Sequence, residues 1–138
     1  MLWILFAFGS AFFAGITAVL AKIGIEHINS TLATAVRTVV VLAFSWLMVF
    51  VVGSQNTIGQ ITGNTLLFLI LSGLSTGASW LCYFRALQAG PASVVVPIDK
   101  LSILVTVAFS FFVFHEKLSK RSGIGLALIV AGTLAMLV

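Results

Sequence analysis

Long apolar runs separated by short polar breaks dominate the chain. A bilayer core about 30 Å thick takes roughly 20 apolar residues per helix. Five stretches meet or approach that length, at residues 2–21, 33–52, 65–86, 92–114 and 120–138. The last apolar run begins only at Gly123, so it fills a span by borrowing residues 118–122 or by lying where the bilayer is thin. The runs are continuous and do not alternate with period two, which predicts helices rather than a β-barrel. The expected fold is therefore all-α, a polytopic membrane helical bundle of five transmembrane helices in a single domain, 1–138. Between the spans lie a polar link around Glu26, His27 and Asn29, the uncharged stretch GSQNTIGQITGN, the breaker pair Gly90-Pro91 and the basic loop HEKLSKRS. No link is long enough to hold a soluble domain, so function has to reside in the membrane portion. The first run lacks a preceding Lys or Arg and is longer than a signal-peptide core, so it is expected to be retained as a span.

Composition agrees and narrows the classes. Hydrophobic residues make up 61% of 138, and seven basic and three acidic residues are too few to coat a water-exposed domain. The net charge of +4 does not indicate nucleic-acid binding, because the basic residues are scattered singly and form no aromatic-rich basic face. The single cysteine, Cys82, lies within an apolar run and fits a small buried hydrophobe. His27 has no metal-spaced partner, and no nucleophile–base set, phosphate-binding loop or dinucleotide fingerprint is present, so neither metal, cofactor nor enzyme activity is expected.

The distribution of Lys and Arg decides little about orientation. Let face A be the membrane side of the N-terminus and face B the other. Lys117, Lys120 and Arg121 fall to face A, whereas Lys22, Arg37, Arg85 and the deeper Lys100 fall to face B. Cytoplasmic loops normally carry an excess of Lys and Arg; here the tally is nearly balanced, and insertion in both orientations is open.

Polar groups within the spans carry the functional signal, because each costs free energy in hydrocarbon. Ser72, Ser75, Thr76, Ser79 and Tyr83 recur at helical spacing on the third span, with Trp80 beside them. Asp99, Ser102, Thr106 and Ser110 form a second stripe on the fourth, and Ser10 and Thr17 a thinner one on the first. Such stripes serve either close helix packing or a shared water-accessible cavity. Asp99 is the sharpest residue, about seven residues into its span and on the order of 10 Å deep. It is either half of a structural ion pair or a substrate or proton-coupling site. Lys100 is its neighbour in sequence and points about 100° away on a continuous helix, so Arg37 is the expected pairing partner. Pro97 either breaks the fourth helix beside Asp99 or marks a later helix start. Gly73 with Gly77, and Ala127 with Ala131 and Ala135, are small-residue faces for helix packing or dimerisation.

The stretch from Ser79 to Leu137 resembles the second half of an EamA domain of the drug/metabolite transporter superfamily. The resemblance rests on ALQ-x-GPAS at Ala86 to Ser93, the proline-containing run before Leu101, the HEKLS sequence ending the fourth span and the glycines 123, 125 and 132 of the last. The opening, with Lys22-Ile-Gly-Ile-Glu26 after the first span, fits as well. Many members carry two five-span halves in inverted topology, and this chain is similar to one half of the small single-repeat type. That implies a secondary transporter of small metabolites working by alternating access, multi-pass in the inner or plasma membrane among its lipids. A lipid-linked or amphipathic substrate flippase, and a non-transporting assembly or partner subunit, are the rival expectations. The resemblance, with the balanced charges, also implies a homodimer, antiparallel or otherwise. On this reading Asp99 couples to protons or meets a cationic substrate group. Arg37 and Lys100 neutralise it or contact an anionic group, while Trp80, Tyr83, Ser79, Thr106 and Pro97 shape the cavity.

Overall fold

The computed structural model describes residues 1–138 and contains helices without strands. The chain divides into two compact units, Met1–Gln88 and Ala89–Val138.

The first unit holds three long helices, α1 (Leu2–Gly24), α2 (Ser30–Val52) and α3 (Gly63–Ala89). At 1.5 Å per residue, the 23 residues of α1 and of α2 each extend about 35 Å, enough to cross the hydrocarbon core. Helix α1 ends where the Ile25 amide donates to Ala21 O (3.0 Å), with Lys22 in the last turn opposing the negative end of the helix dipole. Asn29 caps α2: its Oδ1 accepts from the amides of Thr31 (2.8 Å) and Leu32 (3.4 Å). Gly53, at φ 77°, closes α2 in the left-handed conformation that glycine adopts without a Cβ penalty. The uncharged link then forms a short 3-10 helix, Ser54–Gln60, and Thr62 opens α3 by accepting the Thr65 amide (3.3 Å). The small core of this unit comprises Ala18, Ile25, Ser30, Thr34, Phe84 and Leu87.

The second unit contains α4 (Ala92–Asp99), α5 (Ser102–Val113) and α6 (Lys120–Ala135). Helix α4 starts directly after Pro91 and includes Pro97, so of the two sequence readings the broken helix is the one adopted. Pro97 offers no N–H to the carbonyl of Ser93. Past Asp99 the chain tightens into i→i+3 bonds, Leu101 N to Ile98 O (2.9 Å), Ile103 N to Lys100 O (3.1 Å) and Leu104 N to Leu101 O (2.9 Å), before α5 resumes. His115 takes φ 53° in the following loop, and Ser119 caps α6 by accepting the Ser122 amide (3.1 Å).

Four helical segments are long and apolar enough to cross a membrane: α1, α2, α3 and Ala92–Val113 taken as one broken span. The expected fifth differs. Helix α6 has 16 residues, about 24 Å, because the cap at Ser119 and the last turn at Ala135 bound it more tightly than the hydropathy of residues 120–138 suggested. Large apolar side chains, among them Leu2, Phe6, Phe13, Phe44, Phe68 and Phe112, are exposed along the helices, the inverse of a water-soluble surface.

Candidate functional site

In the first unit the chemistry gathers where the end of α1, the start of α2 and the end of α3 converge. Arg37, half-buried on α2, places its guanidinium carbon 4.5 Å from the centroid of the Trp80 ring and 5.2 Å from that of Phe84, a double cation–π arrangement. Tyr83 packs edge-on to Phe84 at 5.6 Å. Arg37 and Phe84 border a pocket of about 320 Å³ whose remaining wall comes from Thr17, Leu20, Ala21 and Gly24 of α1, with Ile25 and Ala33. Beneath it, Lys22 Nζ donates to Leu87 O (2.6 Å), and Gln88 Nε2 donates to Ile25 O (2.9 Å) and Ile28 O (2.7 Å). Leu87 O belongs to the last turn of α3, where helix carbonyls lack intrahelical donors, so Lys22 fills a vacancy the helix itself creates.

In the second unit Asp99 terminates α4, and its Oδ2 lies 3.8 Å from Lys100 Nζ. Within this unit the carboxylate is thus in ion-pair reach of its neighbour in sequence. The 100° separation assumed a continuous helix, and the helix ends at this residue. The pair is loose: Asp99 retains 38% of its side-chain exposure and Lys100 59%, which leaves the carboxylate accessible.

The polar stripes resolve differently from Asp99. Thr76 donates to Ser72 O (2.9 Å) and Thr106 to Ser102 O (3.2 Å) within their own helices, and Thr34, Thr38 and Thr133 do the same four residues back. A hydroxyl satisfied in this way tolerates lipid or packing without a cavity. Ser79 is exposed and half-buried Gly77 has open space around its Cβ position, as does Gly73. Ala127, Ala131 and Ala135 lie on exposed positions of α6.

The arrangement therefore offers an intramembrane acid at a helix break and, within the other unit, an arginine held by aromatic rings beside an apolar pocket. The EamA-like transporter family matches residues 1–138, the whole chain. The chain belongs to that family. It is 48% identical over 136 residues to an "uncharacterized transporter in cobO 3'region" of a Sinorhizobium species, covering 99% of this chain and 96% of that one. It is 31% identical over 104 residues to an uncharacterized protein of Methanocaldococcus jannaschii, covering 67% of this chain and 74% of that one. A shorter similarity, 30% over 69 residues, links it to the probable 4-amino-4-deoxy-L-arabinose-phosphoundecaprenol flippase subunit ArnE of Enterobacter sp. (strain 638), covering 50% of this chain and 64% of that one. No solved structure matches the chain. The protein is thus a multi-pass membrane transporter of the drug/metabolite kind.

The sequence marked Arg37 and Trp80 without pairing them, gave Phe84 no role, and marked Leu87 and Gln88 only as part of the ALQ motif. The available signal was the EamA-like sequence itself. The ALQ segment and the Lys22-Ile-Gly-Ile-Glu26 segment, separate pieces of the resemblance, are bonded to each other through Lys22 and Gln88.

Proposed function

We propose that the protein is a secondary transporter of small metabolites that works by alternating access and couples transport to protons through Asp99. The observation that carries this reading is the position of Asp99. An accessible carboxylate ends one half of a broken helix within a segment apolar enough to cross the membrane. Acidic groups within membrane spans are costly and mark ion or proton pathways, and transporters build their sites where membrane helices are discontinuous. Lys100, 3.8 Å away, supplies the counter-charge beside the carboxylate. Family membership and the whole-length transporter relative support the class of activity. The protein acts as a carrier rather than a catalyst, as a homodimer in the inner or plasma membrane, with Thr106 and Pro97 shaping the Asp99 region and Ser79, Trp80 and Tyr83 that of Arg37.

Asp99→Asn keeps the shape and cannot ionise. Proton-driven uptake of a metabolite mixture into liposomes is expected to vanish in this variant, while exchange of internal for external substrate persists. Full dependence on the proton gradient in Asp99→Asn would remove the coupling role.

A second reading, transport of an amphipathic or lipid-linked substrate, draws on the similarity to the flippase subunit and on the apolar lining of the Arg37 pocket. Flux by the purified chain alone separates both readings from a partner subunit, which carries nothing without its partner.

A further inference from the structure

We propose that the pocket beside Arg37 binds an organic anion with an apolar tail, its phosphate or carboxylate head on the guanidinium and its tail along α1. The inference deepens the transport reading and rests on it for its biological purpose, though the binding itself is separable.

Arg37 lies on the eighth residue of α2, about 10 Å from the helix start and inside a span whose hydropathy marks it as membrane-crossing. A guanidinium carries five N–H donors in one plane and is charged at any physiological pH. Within its unit the contacts of Arg37 are the faces of Trp80 and Phe84, which attract the charge but accept none of those N–H groups in plane, and no ion pair or hydrogen bond to that unit engages it. A cation held at that depth by two rings, with its donors unspent, is arranged for an acceptor that arrives from outside. Planar, forked donors match carboxylate and phosphate oxygens two at a time.

The pocket specifies the rest of the ligand. Its volume of about 320 Å³ lies at the lower end of small-molecule sites, which run from about 300 to 1,000 Å³. Leu20, Ala21, Gly24, Ile25 and Ala33 give it an apolar wall, which a bare inorganic anion would leave unused. Thr17 is the second polar group on the wall. Unlike Thr34, Thr38, Thr76, Thr106 and Thr133, its hydroxyl is not spent on the carbonyl four residues back.

Trp80 makes the site readable. In a Trp3→Phe/Trp46→Phe background it is the sole remaining tryptophan of three, directly against Arg37. Hexyl phosphate, inorganic phosphate and hexyltrimethylammonium are titrated onto this protein in a non-ionic detergent while Trp80 emission is followed. Hexyl phosphate is expected to give a saturable change, with inorganic phosphate at least tenfold weaker and the cation without saturable effect. Arg37→Gln is expected to weaken hexyl phosphate roughly tenfold or more, the loss of a charge-assisted hydrogen bond. Gly24→Leu, at a position with open space beyond its Cβ, fills the pocket, leaves Arg37 intact and is expected to weaken hexyl phosphate while sparing inorganic phosphate. Equal responses to the anionic and cationic amphiphiles, or unchanged affinity in Arg37→Gln, overturn the anion site. Equal affinity for hexyl and inorganic phosphate with no effect of Gly24→Leu overturns the tail. Proton-driven uptake by the same preparation is measured in parallel: its survival alongside a failed titration condemns the ligand class alone, and its loss alongside a successful one condemns the transport reading alone.

Discussion

Gln88 shows how a single side chain can hold a membrane bundle together at its edge. Its amide nitrogen donates to Ile25 O and Ile28 O, two carbonyls of the link between α1 and α2, while Lys22 reaches back to Leu87 O on the same turn of α3. Carbonyls freed from helix geometry are costly near hydrocarbon, and each lost donor leaves one unpaired. Gln88→Leu preserves bulk and removes both bonds. It is expected to cost about 1–3 kcal/mol, read as a lower thermal midpoint in detergent, with Gln88→Glu no better because a carboxylate has nothing to donate. An unchanged midpoint in Gln88→Leu would show that water serves those carbonyls equally well. These bonds are not legible in helical periodicity, since the bonded partners are 60 to 65 residues apart. Helical periodicity says which residues share a face but not which faces meet. Asp99 was legible because a charge in an apolar run is visible by itself. The partnership of Arg37 with Trp80 was not, because one tryptophan among three and twelve phenylalanines carries no mark of its neighbour.

At the scale of the element, the break between α4 and α5 distinguishes the second unit. Pro97 withholds one amide, and the i→i+3 turn through Lys100 and Leu101 separates the half-helix bearing Asp99 from the one bearing Thr106. Pro97→Ala returns an N–H that can reach Ser93 O and removes the ring that crowds it. On the alternating-access reading the two half-helices move relative to one another, so a regular α4 resists the motion. Pro97→Ala is therefore expected to raise the thermal midpoint while lowering the uptake rate several-fold at little change in substrate affinity. Wild-type uptake in a stabilised Pro97→Ala protein would make the proline a passive feature of the helix start. The sequence left two positions for that start, because proline is equally at home in a first turn and at a functional break. The serine and threonine stripes were legible as stripes only. Whether a hydroxyl faces a cavity or its own backbone depends on rotamer, and Thr76 and Thr106 both turned inward to their helices.

At the scale of the whole molecule, orientation in the bilayer follows from seven basic residues. Lys117 lies in the link before α6 and Lys120 and Arg121 in its first turn, and on the topology expected from the sequence they fall to the other membrane face from Lys22, Arg37, Arg85 and Lys100. The bias of Lys and Arg acts during insertion, when only loops and span ends are sampled, so a near-even tally is expected to leave both orientations populated. Such a mixture supplies the inverted pair that an antiparallel homodimer needs. A C-terminal reporter that signals only in the cytoplasm and another that signals only outside it are expected both to be active on the wild-type chain. Lys117→Gln/Lys120→Gln/Arg121→Gln empties one side of the tally, which fixes the other side inward and silences one reporter. A single orientation in the wild type that the triple variant leaves unchanged eliminates the antiparallel pair and leaves only a parallel one. The same variant also counts spans. With the ends bearing Lys22 and Arg85 held inward, Val138 is cytoplasmic if the 16-residue α6 crosses the membrane and external if it does not. A cytoplasmic reporter therefore supplies the fifth crossing that helix length alone withholds, by thinning the bilayer around α6, and an external one makes this a four-span protein with α6 lodged in one leaflet.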